Sequence, residues 1–171
     1  PASSMSAGPG HTLFVAGTLP DGTVVVSHLD QSGRLLKKAM VGTGEKESAQ
    51  VLFDGAQVVL LWTERKRWDG RNILALTHSH LRYRRFDSQL SPRSDVRRLG
   101  EDDFVVAPRV WDIERGGVIV WTQGVREAWD SATVLSFDSG EDPIGCQLRR
   151  FPTPELPQSL SGDSGILALL Q

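Results

Sequence analysis

This sequence has little cysteine, little excess of one charge and no long apolar run. A single cysteine, Cys146, stands among 171 residues, which excludes an internal disulfide framework and a cysteine-based zinc site. The 19 basic and 21 acidic side chains nearly balance at a net charge of -2, which excludes a general polyanion binder. No apolar run reaches the roughly 18 residues that a membrane-spanning helix needs.

Helical periodicity is also missing, and short β-branched runs take its place. No window of about 12 residues keeps the apolar stripe of a helix. Apolar runs bounded by Gly, Asp or Pro occur instead at 12–16, 23–26, 58–62, 118–121 and 133–135. Turn signals follow about every 8–12 residues, which is the spacing of strands in sandwiches and propellers. The chain is therefore predicted to be all-β.

Internal repeats favour a propeller over a sandwich. Two stretches that each end in Trp-Thr resemble each other, and a Trp-Asp pair and a Phe-Asp-Ser turn follow in both. The matching segments are 51–63 with 109–122, 68–69 with 129–130, and 86–88 with 137–139. Repeat units of this length, each with room for four short strands, are typical of propeller blades.

The repeats also predict how the chain is divided. We expect a linker or processed end over residues 1–11 and a partial β-propeller over residues 12–171. The predicted blades cover about 12–44, 45–104 and 105–155, with the start of a further blade at 156–171. Closed propellers need about four to eight blades. Roughly three blades are thus an incomplete ring, which another chain, a missing segment or oligomerisation would complete.

The third unit carries the fullest form of the blade pattern. It reads PRVWD at 108–112, VWT at 120–122 and FDSG at 137–140. In these motifs the chain resembles the repeat propellers of bacterial secreted and cell-surface proteins. The resemblance implies a β-propeller fold and an extracellular, periplasmic or cell-surface location. It leaves the function open, because propellers serve as binding modules, hydrolases, lyases and redox enzymes.

Tryptophans beside charged residues are the strongest candidates for a binding surface. Trp68 and Trp129 each precede an Asp and are expected in the connection between the second and third strands of a blade. In propellers those connections share one face with the connections between blades, and Trp with Arg and Asp is typical of an interaction hot spot or a sugar-stacking platform. The predicted binding residues are Arg67, Trp68, Asp69, Arg71, Arg126, Trp129 and Asp130. The alternative is that each Trp folds back over its blade and each Asp caps a turn.

Other chemistry-bearing residues are interpreted as structural. Trp62 and Trp121 end apolar strands and are predicted core anchors. His78 and His80 lie on one face of a strand, yet no third metal ligand follows at a telling spacing, so a solvated basic hairpin is favoured over a metal site. Cys146 is interpreted as a buried structural thiol. No catalytic residue, metal or cofactor is predicted.

These patterns favour a non-enzymatic interaction or scaffold module of an extracellular or envelope protein. Its expected partner is a protein, further propeller blades from another chain, or a glycan. Neither nucleic acid nor a membrane span is expected, since the net charge is near zero and long apolar runs are missing. One alternative is a fragment of a glycan-processing propeller enzyme, hydrolase or lyase, whose catalytic residues lie partly on missing blades. A homo-oligomer built from copies of this chain is another.

Overall fold

The chain folds into three four-stranded antiparallel sheets in the computed structural model, which describes residues 4–44, 48–66, 78–100, 105–125 and 128–152. Sheet 1 contains β1 (Ser4–Ala7), β2 (Leu13–Thr18), β3 (Thr23–Leu29) and β4 (Leu35–Thr43). Sheet 2 contains β5 (Gln50–Phe53), β6 (Val58–Lys66), β7 (His78–Phe86) and β8 (Arg97–Arg98). Sheet 3 contains β9 (Val105–Ile113), β10 (Gly116–Val125), β11 (Ala128–Asp138) and β12 (Leu148–Pro152). Strand order follows chain order in every sheet.

The helical content of the described residues is limited to two short 3-10 turns, Pro9–His11 and Pro143–Gly145. No helix in these ranges is long and apolar enough to cross a membrane. The prediction of an all-β chain built from propeller-like four-stranded blades is confirmed. Across the described ranges, the three sheets do not close into a ring.

The sheets lie side by side with their first strands together. β1 contacts β5, and β5 in turn contacts β9. In a propeller the first strand of every blade lies nearest the central axis, so this contact order is the one that blades around a common axis would have.

The start of the chain differs from the prediction. Residues 1–11 were expected to be a linker, but Ser4–Ala7 forms β1 and pairs with β2. The hydroxyls of Ser4 and Ser6 accept hydrogen bonds from the backbone N–H groups of Val51 (3.1 Å) and Phe53 (2.9 Å) on the neighbouring sheet. Hydrogen bonds between its serine hydroxyls and the neighbouring sheet, and not the packing of alternating apolar residues, therefore hold this polar strand. The predicted further blade at 156–171 lies outside the described residues.

Sheet 2 is buried on both faces because it lies between the other two. Along β6, Leu60 and Trp62 face a cluster shared with sheet 1, and Val59 and Leu61 face a cluster shared with sheet 3. The partners from sheet 1 are Phe14, Ala16, Val24 and Val26, and those from sheet 3 are Val105, Ile119, Trp121, Leu135 and Phe137. Strands buried on both faces read as continuous apolar runs, which explains the sequence of β6.

The predicted core role of Trp62 and Trp121 is confirmed. Both side chains are buried, Trp62 between sheets 1 and 2 and Trp121 between sheets 2 and 3. Their equivalent positions explain why the Trp-Thr motif recurs, since each indole fills the interface with the preceding sheet.

Candidate functional site

The predicted binding residues fall largely outside the part of the chain that the structure describes. Arg67, Trp68, Asp69, Arg71 and Arg126 lie there, as do the side chains of Trp129 and Asp130. The backbone of the last two belongs to β11, which begins at Ala128. This corrects the prediction that they stand in the connection between strands.

An irregular register marks the start of β11. Gln123 pairs with Ser131, whereas the next residue, Gly124, pairs with Trp129. Asp130 is therefore the extra residue of a β-bulge. Bulges redirect side chains and are frequent beside functional sites. The repeat pattern could not reveal this feature because it reports residue types and not pairing.

One end of the blades is closed by side-chain bonds between sheets 2 and 3. Asp54, in the turn between β5 and β6, accepts hydrogen bonds from the N–H groups of Ala56 and Gln57 (both 2.8 Å) and from Gly140 of sheet 3 (3.0 Å). The Gln57 amide donates to the carbonyl of Glu141 at 2.7 Å. The strand-joining turns of the two sheets are thus locked together at this end.

The opposite end carries the connections in which binding residues were predicted. β6 ends at Lys66 and β7 begins at His78, so residues 67–77 join them at this end. The Ser79 hydroxyl donates to the carbonyl of Val105 at 2.7 Å, which brings the start of β7 beside the start of β9. The connection between β10 and β11 emerges at the same end of sheet 3, because the turn ends of the two sheets are aligned.

A carboxylate between sheets 2 and 3 gathers three side chains from sheet 2. Asp142 accepts from the Tyr83 hydroxyl at 2.7 Å and forms ion pairs with Arg85 at 2.8 Å and Arg97 at 3.2 Å. Burial, reinforced by the bond to Asp142, raises the pKa of Tyr83 to about 12. The ion pairs of Arg85 and Arg97 with Asp142 therefore join sheet 2 to sheet 3. The signal in the sequence is the basic run before Phe86, which is assigned from the sequence to a solvated basic hairpin.

A cavity of about 500 Å³ lies between the outer strands of the same two sheets. Its lining includes Arg98, Leu99, Leu135, Ile144, Cys146 and Arg150. Burial, together with the neighbouring carboxylates of Glu141 and Asp142, raises the pKa of Cys146 to about 11. The thiol is therefore protonated near neutral pH and is a poor nucleophile. This agrees with a structural thiol, although Cys146 is half-buried rather than fully buried.

The strand that carries the histidines corrects a second prediction. A solvated hairpin was expected here, yet β7 pairs with β6 along its whole length, and His80, Leu81 and Tyr83 are buried. Arg82 and Arg84 alternate with Leu81 and Tyr83, and Arg82 pairs with Glu64 at 2.8 Å. Within the described ranges, no group of three His, Cys, Asp or Glu side chains is placed to hold a metal ion.

No protein-family model matches the chain, and no curated protein matches it. The likeness to bacterial propeller repeats thus stays an expectation from sequence. The geometry provides packed sheets whose turns are hydrogen-bonded together at one end, while the other end carries the connection 67–77 between β6 and β7 and the two-residue connection 126–127 between β10 and β11. Such a scaffold holds loops in fixed relative positions, which is the usual arrangement for a binding surface.

Proposed function

We propose that this chain is a non-enzymatic interaction module of an extracellular or envelope protein, which binds a protein or glycan through the loop-bearing end of its blades. The observation that supports this is the difference between the two ends. Asp54 and Gln57 lock one end to sheet 3, and the hydrogen bond from Ser79 to Val105 places neighbouring loop-bearing strands together at the other.

The composition of the connections suits such a contact. Trp68 and Asp69 follow the basic Arg67 in the connection between β6 and β7, and Trp129 and Asp130 stand where β11 begins. An indole supplies a large flat apolar area, and adjacent Asp and Arg supply hydrogen bonds to hydroxyls or amides. The near-zero net charge favours a neutral glycan or a protein over a polyanion.

The first test replaces the two tryptophans. Binding of the Trp68→Ala/Trp129→Ala double variant is compared with that of the unmodified chain on an array of neutral glycans and immobilised cell-envelope proteins. We expect binding to weaken by about thirtyfold or more, because a single buried interface tryptophan typically contributes about 2 kcal/mol. Ile144→Ala, at the locked end and 52% exposed, is the matched control that keeps full binding.

Two results would argue against this proposal. Binding that survives the double substitution would move the contact away from the loop-bearing end. Release of new reducing ends from a bound glycan would favour the alternative, a fragment of a glycan-processing enzyme. Circular dichroism of each variant separates loss of contact from loss of fold.

A further inference from the structure

The cavity between sheets 2 and 3 begins at the locked end of the blades, opposite the loop-bearing end. Its volume is about 500 Å³, and its lining comes from β8, β11, β12 and the connections that follow β8 and β11. The 3-10 turn Pro143–Gly145 contributes to this lining and starts two residues after Glu141, whose carbonyl accepts from Gln57. Pockets of about 300–1,000 Å³ are typical of small-molecule sites. The cavity is therefore large enough for a small ligand.

Most of the cavity wall is apolar. Leu99 and Leu135 are 2% and 1% exposed and belong to the cluster between sheets 2 and 3. Leu148 and Ile144 also line the cavity but are about half exposed. The wall thus joins core leucines to apolar side chains that water still reaches. An apolar group that entered the cavity would remove apolar area from water on both.

One guanidinium group is placed on the cavity side of sheet 3. Leu148 pairs in register with Leu135, which faces sheet 2. Arg150 is two residues further along β12, and alternate residues of a strand share a face. Its side chain is therefore on the face of sheet 3 that meets sheet 2, and it contributes to the lining. Arg150 has another contact as well, but a guanidinium carries several N–H donors and can bind more than one partner.

Acidic and basic groups stand at different parts of the cavity. Burial raises the pKa of Cys146, and the carboxylates of Glu141 and Asp142 add to this rise, which places negative charge beside the thiol. Asp142 is balanced by its ion pairs with two arginines of sheet 2. Arg150 lies four residues beyond Cys146, on β12. A ligand anion is therefore favoured at Arg150 and disfavoured at the thiol.

We propose that this cavity binds a small carboxylate with an apolar body, such as a medium-chain fatty acid. The carboxylate pairs with Arg150, and the chain lies against Leu99, Leu135 and Leu148. A guanidinium and a carboxylate match in geometry and form charge-assisted hydrogen bonds. Burial of the chain supplies affinity, while Arg150 selects the acid over a neutral molecule of the same shape.

The test is calorimetric titration of the 171-residue chain with octanoate and with its neutral counterpart, octan-1-ol. We expect one octanoate per chain. Arg150→Gln should weaken octanoate binding roughly tenfold, because a charge-assisted bond is lost, and should leave octan-1-ol binding unchanged. Arg149→Gln is the matched control and should keep full octanoate affinity. Arg149 is exposed, and its register partner Val134 belongs to the cluster on the opposite face of sheet 3.

Cys146 shows whether the ligand lies in the cavity, because it is the only cysteine of the chain and belongs to the lining. Its alkylation by N-ethylmaleimide is followed at about pH 8.5, where a small fraction of thiolate forms. Octanoate at ten times its Kd should slow this reaction roughly tenfold. Ile144→Trp enlarges an exposed side chain of the wall, so the fold should survive while octanoate binding is lost.

Three results would overturn the proposal. They are an absence of binding at millimolar octanoate, an equal loss of affinity in Arg149→Gln and Arg150→Gln, and alkylation of Cys146 that octanoate does not slow. Equal weakening of octanoate and octan-1-ol in Arg150→Gln would show that Arg150 only supports the fold, and would overturn its role in binding the acid. None of these measurements depends on Trp68 or Trp129, so they are independent of glycan or protein binding at the loop-bearing end.

Discussion

At the residue scale, His28 shows what burial does to a titratable group that has no polar partner. The ring is 3% exposed, stacks on Phe14 at 4.5 Å, and neither nitrogen has a hydrogen-bond partner in the described structure. Desolvation lowers its pKa, so the folded protein holds it neutral at pH 7. Lys37, which pairs with His28 in register on β4, is a base and so supplies no negative charge that would stabilise a protonated imidazole.

This histidine gives a pH prediction. The unfolded chain takes up a proton near pH 6.5, but the folded chain does so only at lower pH. The stability that His28 contributes is therefore complete above about pH 6.5 and is lost as the pH falls below it. We expect His28→Phe to lose less of its unfolding free energy than the unmodified chain between about pH 7.5 and 5.5, measured in urea. Equal losses in both proteins would contradict the assignment.

Single residues also show where sequence reasoning succeeds. Trp62 and Trp121 could be predicted as core anchors because a large indole at the end of an apolar strand has few other stable places. Asp142 could not, since its role depends on Tyr83, Arg85 and Arg97 reaching it from another sheet. Local pattern predicts burial, whereas long-range polar contacts leave no local pattern.

At the element scale, one carboxylate both stabilises the turn between β5 and β6 and links this turn to sheet 3. Asp54 is 6% exposed and binds two N–H groups of its own turn and that of Gly140 on sheet 3. We expect Asp54→Ala to lower the free energy of unfolding by about 2–4 kcal/mol, because one buried and two partly buried N–H groups would lose their acceptor. Urea unfolding followed by fluorescence measures this loss.

The matched control for Asp54 is Asp30 in the turn between β3 and β4. It accepts from the N–H groups of Ser32 and Arg34 in the same local manner but binds no second sheet in the described structure. Asp30→Ala should therefore cost clearly less. Equal losses would mean that the bond to Gly140 adds nothing to the junction between sheets.

The strands themselves could be predicted only where apolar residues define them. β6 and β10 follow from their β-branched runs. The sequence does not predict β1, because Ser4 and Ser6 are held by hydrogen bonds from backbone N–H groups of β5. Those groups are 47 residues further along the chain, so no local pattern marks the contact. The sequence predicts a solvated hairpin at β7, because the arginines of this strand mask the alternation that buries Leu81 and Tyr83.

At the scale of the whole molecule, sheet 2 decides whether the three sheets act as one unit. Leu60 faces sheet 1 and its neighbour Leu61 faces sheet 3, and both are fully buried. Since β6 supplies residues to both clusters, neither interface can open without exposing apolar area on sheet 2. The repeats predicted separate blades, but repeat similarity carries no information about their coupling.

This coupling gives the last prediction. Leu60→Ala and Leu61→Ala should each lower the unfolding free energy by about 2–5 kcal/mol, and each should shift a single transition seen equally by circular dichroism and tryptophan fluorescence. Hydrogen exchange should then speed up in all three sheets for both variants. If Leu60→Ala released only sheet 1 and left exchange in sheet 3 unchanged, the blades would be independent units. The contacts along β6 would then hold neighbours together without making their folding cooperative.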